Sequence, residues 1–350
     1  MSLLSGINDF IGLDIGTSSI KLVELAGKGP VKSLVRYAHI PIDYQLSESD
    51  SPGDHQKLAN IIDDLIKQAQ VITRNVAVNI PSKRVFTTVV DVDKLTKKEM
   101  TKSIKLQASS LIPTPVEKSK IDWAIIGDSP GDPSKVELLL SSVLNEYAES
   151  RLDLLESIGL NVIALEPDNL ALARSLLDPQ SIKPQMVLDI GATSSDLVIS
   201  MNNTPRLTRS ITQGLDAMIK AVAQNLSVES KQAQDLVYKF GVNKTKLEGQ
   251  VYQAIITTVD ALIAEIDKSI KFFYNRYPET KIERIVVTGA ASTLPDFPLY
   301  IGNKLGLTIE IGNAWRNVQF PTNRMNELQS VSNIFAVATG LAERNETEIV

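Results

Sequence analysis

Cysteine is absent from the chain, which excludes disulfides, thiolate metal sites and cysteine nucleophiles together and suits a reducing compartment. Histidine is nearly as scarce. His39 and His55 are the only two, so a histidine-rich metal centre or a histidine-based triad lacks its material, and neither residue is a site candidate. Excess basic charge is missing too: 36 Lys and Arg stand against 41 Asp and Glu, a net charge of −5. Without a basic footprint to neutralise a phosphate backbone, no nucleic acid partner is expected. No window approaches the roughly 18 apolar residues that a spanning helix needs. The opening stretch from Met1 to Gly16 has no positive flank and is interrupted by Gly6, Asn8 and Asp9, so it fails as a signal peptide. Attachment to a membrane is therefore expected only through a partner.

What is present suits an ordinary globular protein. Of the 350 residues 43% are hydrophobic and 22% are charged with both signs mixed, enough for one large core or two. One local cluster of charge stands out, at Lys94, Lys97, Lys98, Lys102 and Lys105. It falls in a predicted helix whose Met100, Ile104, Ala108 and Leu111 supply an apolar stripe. A solvated face over a packed one explains it; contact with an anionic membrane surface is the sharper alternative.

Along the chain, the apolar strand from Phe10 to Ile15 breaks at Gly16-Thr17-Ser18-Ser19 and returns as Ile20 to Leu25, a hairpin with a small-residue turn. Ser47 to Asp54 reads as an exposed loop, and Leu58 to Gln68 carries a helical period. Between about Asn75 and Leu160 the predicted order becomes strand, strand, helix, strand, strand, helix, the pattern of a small α+β module inserted into a larger fold. Pro113 and Pro115 end the first of these helices. Beyond Pro184 the opening pattern recurs: Leu13-Asp14-Ile15-Gly16 is repeated as Leu188-Asp189-Ile190-Gly191, followed by Ala192-Thr193-Ser194-Ser195 and a returning strand. Helices are predicted at Leu215 to Leu226 and Val251 to Tyr277. A buried-type strand then ends at Gly289-Ala290-Ala291-Ser292, and the last helix, Ile334 to Ala342, carries small residues that would let another helix approach closely.

A hairpin with Asp at the end of its first strand and small residues in its turn has a definite use. The turn exposes backbone amides and hydroxyls with no bulky side chain to hold a phosphate away. In the first hairpin Gly16, Thr17, Ser18 and Ser19 would cradle phosphate, Asp14 would hold Mg2+ through water, and Lys21 would place its ammonium on the β- or γ-phosphate. In the second, Asp189, Gly191, Ala192, Thr193 and Ser194 would take the same roles. Small residues in one hairpin need no explanation beyond good turn chemistry. The repetition gives these their meaning, since it suggests duplicated halves with a triphosphate and its metal clamped between two turns. Gly289, Ala290 and Ala291 permit close backbone approach to a flat ligand.

With these motifs in this order the chain resembles the actin-like ATPases and, among them, the PilM family of type IV pilus assembly. The first phosphate loop is similar to Ile11 to Leu25, the first connecting helix to Leu165 to Ala173, the second phosphate loop to Val187 to Ile199, the adenosine motif to Ile285 to Ser292, and the last connecting helix to Phe335 to Ala342. The family resemblance adds Leu111 to Glu117 with Ile121-Asp122-Trp123 in the inserted module, and Leu207 to Gly214 as an arginine-to-glycine hairpin. Three departures are plain. Ala290 stands where relatives usually have the second glycine of a pair, Gln213 stands before Gly214 where another pair is usual, and Ala233 to Val237 lacks the Glu and Lys of an Ala-Glu-x-x-Lys helix. The phosphate side thus matches the family while the adenosine side departs from it.

The resemblance implies an α/β actin-like ATPase fold: two RNase H-like halves around a nucleotide cleft, with a small α+β subdomain inserted in the first. The expected divisions are 1–74, the inserted 75–160, a connection over 161–184, the second half over 185–330 and a final helix and polar tail over 331–350. It implies ATP and Mg2+ as cofactors, Gly214 among the nucleotide-contacting residues, and Glu166 as the catalytic candidate, giving at most a slow ATPase. It also implies a cytoplasmic protein held at the inner membrane by the N-terminal peptide of a PilN-like bitopic protein, with self-association open. Three alternatives remain at this point: a small-molecule kinase of the same superfold, using Glu166 or Asp168; an FtsA-like division filament, although the tail from Arg344 to Val350 is short and polar; and a domain that binds only protein.

Overall fold

The computed structural model describes residues 9–27, 29 and 31–345. The N-terminal residues 1–8 and the tail 346–350, on which the readings of the chain ends partly rested, lie outside that set. Two compact units divide the chain, one running to Ala171 and including Thr204–Arg206 and the residues from Val337, the other comprising Leu172–Asn203 and Leu207–Ala336.

In the first unit an apolar strand β1 (Ile11–Ile15), buried throughout, returns as β2 (Ser19–Ala26) and continues as β3 (Lys32–Pro41). Two helices follow, α1 (Tyr44–Glu48) and α2 (Pro52–Gln68). The stretch expected as a loop over Ser47 to Asp54 is therefore largely helical. Pro52 sits in the first turn, where its missing N–H costs nothing, and the Ser51 hydroxyl accepts the Asp54 amide as a cap. Strand β4 (Asn75–Ile80) lies parallel to β1, and β8 (Asn161–Pro167) lies parallel to β4, so these strands run in the order β3-β2-β1-β4-β8. Leu58, Ile62 and Ile66 of α2 pack with Leu154 and Leu155 of α4 (Asn145–Glu156) on Ile11, Leu13 and Leu22.

A separate antiparallel sheet orders β5 (Val85–Asp93), β7 (Lys135–Leu144) and β6 (Ser119–Asp128) as β5-β7-β6. Helix α3 (Lys97–Leu111), begun by a Thr96–Glu99 capping box, buries Met100 and Ile104 against Leu138 and Leu140 on one face of it. The segment 75–160 thus holds elements of two sheets. Lys98 and Lys102 are exposed on α3 and Lys94 pairs with Asp128 at 2.9 Å; the side chains of Lys97 and Lys105 lie outside the described set. The other face of the small sheet packs Leu139 and Ile126 on Leu170, the third residue of α5 (Asp168–Leu176). There the Arg206 guanidinium, deeply buried, meets Glu137 at 2.6 Å and donates to the Ile126 carbonyl at 2.7 Å.

The second unit repeats the first. Its strands β9 (Gln185–Ile190), β10 (Ser195–Met201), β11 (Thr204–Ile211), β12 (Ile285–Thr288) and β13 (Ile309–Ile311) run in the order β11-β10-β9-β12-β13. Counted from the start of each half, both sheets have the order 3-2-1-4-5, with the first pair antiparallel and strand 4 parallel to strand 1. Helices α6 (Leu215–Leu226), α7 (Ser230–Phe240), α8 (Gln250–Arg276) and α9 (Phe297–Leu305) surround one core. Ile255, Val259, Leu262, Ile266 and Phe273 of α8 form its longest stripe. The chain closes with α10 (Met325–Val331) and α11 (Ala336–Ala342). Among the described residues no helix is long and apolar enough to cross a membrane.

The small residues of α11 do admit a neighbour. A methyl group on Gly340 would collide with the Ala171 carbonyl of α5. Replacing a helical glycine by alanine ordinarily stabilises by roughly 1 kcal/mol, whereas overpacking costs about 1–3 kcal/mol. Gly340→Ala should therefore lower the melting temperature. A rise would show that the two helices are free to move apart.

Candidate functional site

Both hairpin turns close in the same way. In the first, the Gly16 amide donates to the Ser19 carbonyl at 3.1 Å; in the second, the Gly191 amide donates to the Ser194 carbonyl at 3.0 Å. Ser18 is exposed, and Gly16, Thr17, Ser19 and Gly191 to Ser194 are half-buried, so the turn groups are accessible. Register sets what stands behind each turn. Asp14 lies opposite Lys21, and Asp189 opposite Asp196. Lys21 donates to Asp14 Oδ2 at 3.0 Å with both side chains nearly buried. The equivalent position in the second hairpin is a carboxylate, so one half brings a cation to its turn and the other a second acid.

Each turn is braced from below. The Ile15 amide donates to Asn79 Oδ1 at 2.7 Å, and Asn79 Nδ2 donates to Asp168 Oδ1 at 2.9 Å. The Ser82 amide donates to the other oxygen of Asp168 at 3.3 Å. Asp168 therefore positions β1 through Asn79, because its carboxylate sits at the start of α5 and ties the ends of β4 and β8 together. In the second unit the amides of Leu215 and Asp216, opening α6, donate to the carbonyls of Gly191 and Ala192 at 3.0 and 2.9 Å. Gly214, the buried residue before that helix, thus supports the turn from behind. The Ser195 hydroxyl donates to the Gln213 carbonyl at 2.7 Å and fixes the approach to it.

Thr288 pairs with Asp189 across β12 and β9, which places Gly289 beside the second turn. Its φ of +84° is one that side chains disfavour, and a Cβ there would run into the Asp189 carboxylate and lie 2.6 Å from the Ile190 carbonyl. The glycine keeps room for that carboxylate. Ala290 packs its methyl against the core of the unit, and Ala291 is fully buried.

Glu166 is at the end of β8, opposite Asn79 in register and almost wholly buried. Its carboxylate pairs with the Arg344 guanidinium, just beyond α11. The Lys32 ammonium holds the same stretch, donating to the carbonyls of Ala342 and Arg344 at 3.0 Å each. In this arrangement Glu166 neutralises a buried cation and fixes the chain after α11. General base chemistry at Glu166 would require it to leave that pair.

Asp196, Asn79 and Arg344 were missed in the sequence. Asp196 had a signal, since it follows Asp189 by the same seven residues that separate Lys21 from Asp14. Asn79 and Arg344 had none, because their roles come from partners 64 and 178 residues distant.

No group of three or more His, Asp or Glu among the described residues could cage a metal ion. Hydrated magnesium does not need one, since it takes one or two carboxylates and completes its shell with water and phosphate oxygens. Asp14 in the first unit and Asp189 in the second, each beside its own turn, are carboxylates of the kind that such a donor set uses. A bound magnesium would neutralise phosphate charge, while Lys21 adds a point charge and the turns add amides.

A second feature of the first unit is a groove of about 170 Å³ lined by residues of the small sheet, the end of β8 and the first turn of α5. Val85, Ile121, Val143, Leu165 and Leu170 give it an apolar lining, with Lys120, Asp122 and the Glu166–Arg344 pair among its polar members. Its strands β5 and β6 are the sheet's two edges.

The model of the type IV pilus assembly protein PilM matches residues 12–346, nearly the entire chain. The chain belongs to the PilM family. Among solved structures it is similar to the PilM-PilN type IV pilus biogenesis complex, with 27% identity over 97% of this chain and 98% of that one and a TM-score of 0.82. Ethanolamine utilization protein EutJ from Carboxydothermus hydrogenoformans aligns at 13% identity over 96% of this chain and 89% of its own, TM-score 0.58. MreB 5 of Spiroplasma citri, solved bound to AMPPNP, aligns at 11% identity over 95% of each chain, TM-score 0.55. The last two share the fold alone, and together they identify it as the actin-like ATPase fold. As a PilM family member the chain is an assembly protein of type IV pili.

Proposed function

We propose that the chain is a cytoplasmic scaffold of the type IV pilus inner-membrane complex that holds the N-terminal peptide of a PilN-like membrane protein in the groove of its small sheet. Magnesium ATP, bound at the two hairpin turns through Asp14, Gly16 to Ser19, Lys21, Asp189 and Gly191 to Ser194, acts on it as a conformational ligand. A nucleotide shifts a conformational equilibrium by its differential affinity for the two arrangements, so fast turnover is not needed. Membrane contact comes through the partner. The groove carries the partner assignment: apolar side chains in its wall receive the apolar residues of an extended peptide, while the edge strands offer backbone groups. The similarity to a protein solved as a PilM-PilN complex supports the same occupant.

Ser141 lines the groove and is half-buried, so Ser141→Trp fills it without removing an apolar contact. Fluorescence anisotropy with a labelled N-terminal peptide of the cognate PilN-like protein should show at least about a tenfold loss of affinity, roughly 1.4 kcal/mol, with unchanged far-UV circular dichroism. Undiminished binding would place the peptide elsewhere.

A further inference from the structure

Helix α4 borders two recesses of the first unit. Its Ala148 lines the apolar groove described above. Tyr147, Ser150, Arg151 and Leu154 line a different recess, together with His55 and Leu58 of α2 and with Arg84, in the turn before β5. Their spacings, three or four residues apart on each helix, put one face of α4 and one of α2 toward it. The recess measures about 10 Å³, the size for one water or one oxygen of a bound group. It shares Asp50, His55, Arg84, Tyr147 and Ser150 with an adjoining cleft of about 530 Å³.

Arg151 is only 9% exposed. Its guanidinium lies 5.4 Å from the centre of the Tyr147 ring and donates to the Tyr147 hydroxyl at 3.0 Å, and no carboxylate pairs with it among the described residues. A buried guanidinium without a counter-charge is costly; Arg206 and Arg344 have theirs in Glu137 and Glu166. The Arg84 guanidinium lies over the same ring, 5.3 Å from its centre. Its carboxylate is shared, since Glu48 stands 3.5 Å from Arg84 through one oxygen and takes Lys83 at 2.7 Å through the other. The Ser150 hydroxyl and the His55 ring, both half-buried, have no protein partner among the described residues. Donors and positive charge are therefore in excess at this recess, where the second acid, Asp50, is exposed to water.

We infer that the recess binds an oxyanion, carboxylate or phosphate, carried on a peptide segment of a protein partner, with Arg151, Arg84 and Ser150 as its donors. A guanidinium presents its N–H groups in a fork that matches such an anion, and the Tyr147 ring holds two of them at one place. The cleft describes the rest of the occupant. A lone ion needs no more than the recess, whereas about 530 Å³ takes several side chains. Leu144 and Leu154 offer apolar contact there, while Asp50, Glu146 and Asp153 favour basic residues beside the anion. The occupant is thus an acidic or phosphorylated residue flanked by basic ones. His55 carried no signal for this in the sequence, because its neighbours in the recess come from α4.

Fluorescence polarisation with a labelled Gly-Lys-Glu-Lys-Gly peptide, and with Gln or phosphoserine in place of its Glu, separates the anion from the rest of the contact. The full chain should bind the Glu or the phosphoserine peptide at least about tenfold more tightly than the Gln peptide, and the tighter of the two tells carboxylate from phosphate. Arg151→Met keeps much of the side chain's length and removes its charge. It should abolish the preference, which distinguishes this recess from the hairpin turns, and should melt no lower than the wild type because the lost charge had no counter-charge. Arg84→Gln, at a side chain 39% exposed, should weaken the preference too. Equal binding of all three peptides by the wild type, binding of none, or a preference that survives Arg151→Met would overturn the inference. Should Arg151→Met melt well below the wild type, Arg84→Gln decides: an undiminished preference overturns the inference, and a lost one sustains it.

Discussion

Arg206→Ala should destabilise the small sheet of the first unit by about 3–5 kcal/mol. The Arg206 and Glu137 side chains are only 4% and 2% exposed, so neither charge is repaid by water. Arg206 also satisfies the Ile126 carbonyl, in the strand beside Glu137. Removing the arginine takes a counter-charge from a carboxylate in the interior and the donor from a carbonyl, the worse half of the asymmetry between making and breaking a buried polar contact. Hydrogen exchange read by mass spectrometry should show β6 and β7 exchanging about a hundredfold faster or more. The double variant Arg206→Leu with Glu137→Leu removes both charges and should recover most of the loss. A single variant as stable as the wild type would contradict this account of the pair.

The second large effect concerns Asp14. Its carboxylate lies opposite Lys21 and pairs with it, and the pair is nearly buried behind the first turn. Asp14→Ala removes the expected magnesium ligand through water and leaves Lys21 without its counter-charge. Asp14→Asn keeps the shape and a hydrogen-bond acceptor for Lys21 while removing the charge. A loss of magnesium-dependent nucleotide binding in both would follow from the charge; a loss in the alanine variant alone would follow from disturbed packing. The expectation is at least about a hundredfold weaker binding in each, or roughly 2.7 kcal/mol.

The hairpins were legible because their chemistry is local. Strand, aspartate, glycine and small turn residues lie within ten positions, and the second copy repeats the first. Helices α6 and α8 of the second half were legible for the same reason, since an apolar stripe over twelve residues or more has one geometric solution. The limits of the inserted module were less so. β4 and α4 have the same local pattern as the elements beside them, and only their pairing with β1 and β8 and their packing on Leu13 and Leu22 assign them to the larger sheet. The start of α2 was obscured by Ser51 and Pro52, which read as turn residues until Ser51 is seen capping a helix. Within the site, the acids and small residues could be named, but not what holds them. Asn79 braces Ile15 from 64 residues away, Arg344 reaches Glu166 across 178, and Arg206 reaches Glu137 across 69. No spacing rule finds such partners, because a fold brings them together.

The central proposal is that the chain binds magnesium nucleotide through its aspartate-to-serine turns. Calorimetric titration of the wild type and of Asp14→Ala with magnesium ATP, repeated with magnesium ADP, tests it most directly. The prediction is saturable, magnesium-dependent binding by the wild type that Asp14→Ala loses. Binding of equal strength in both proteins, or none in the wild type, would contradict it.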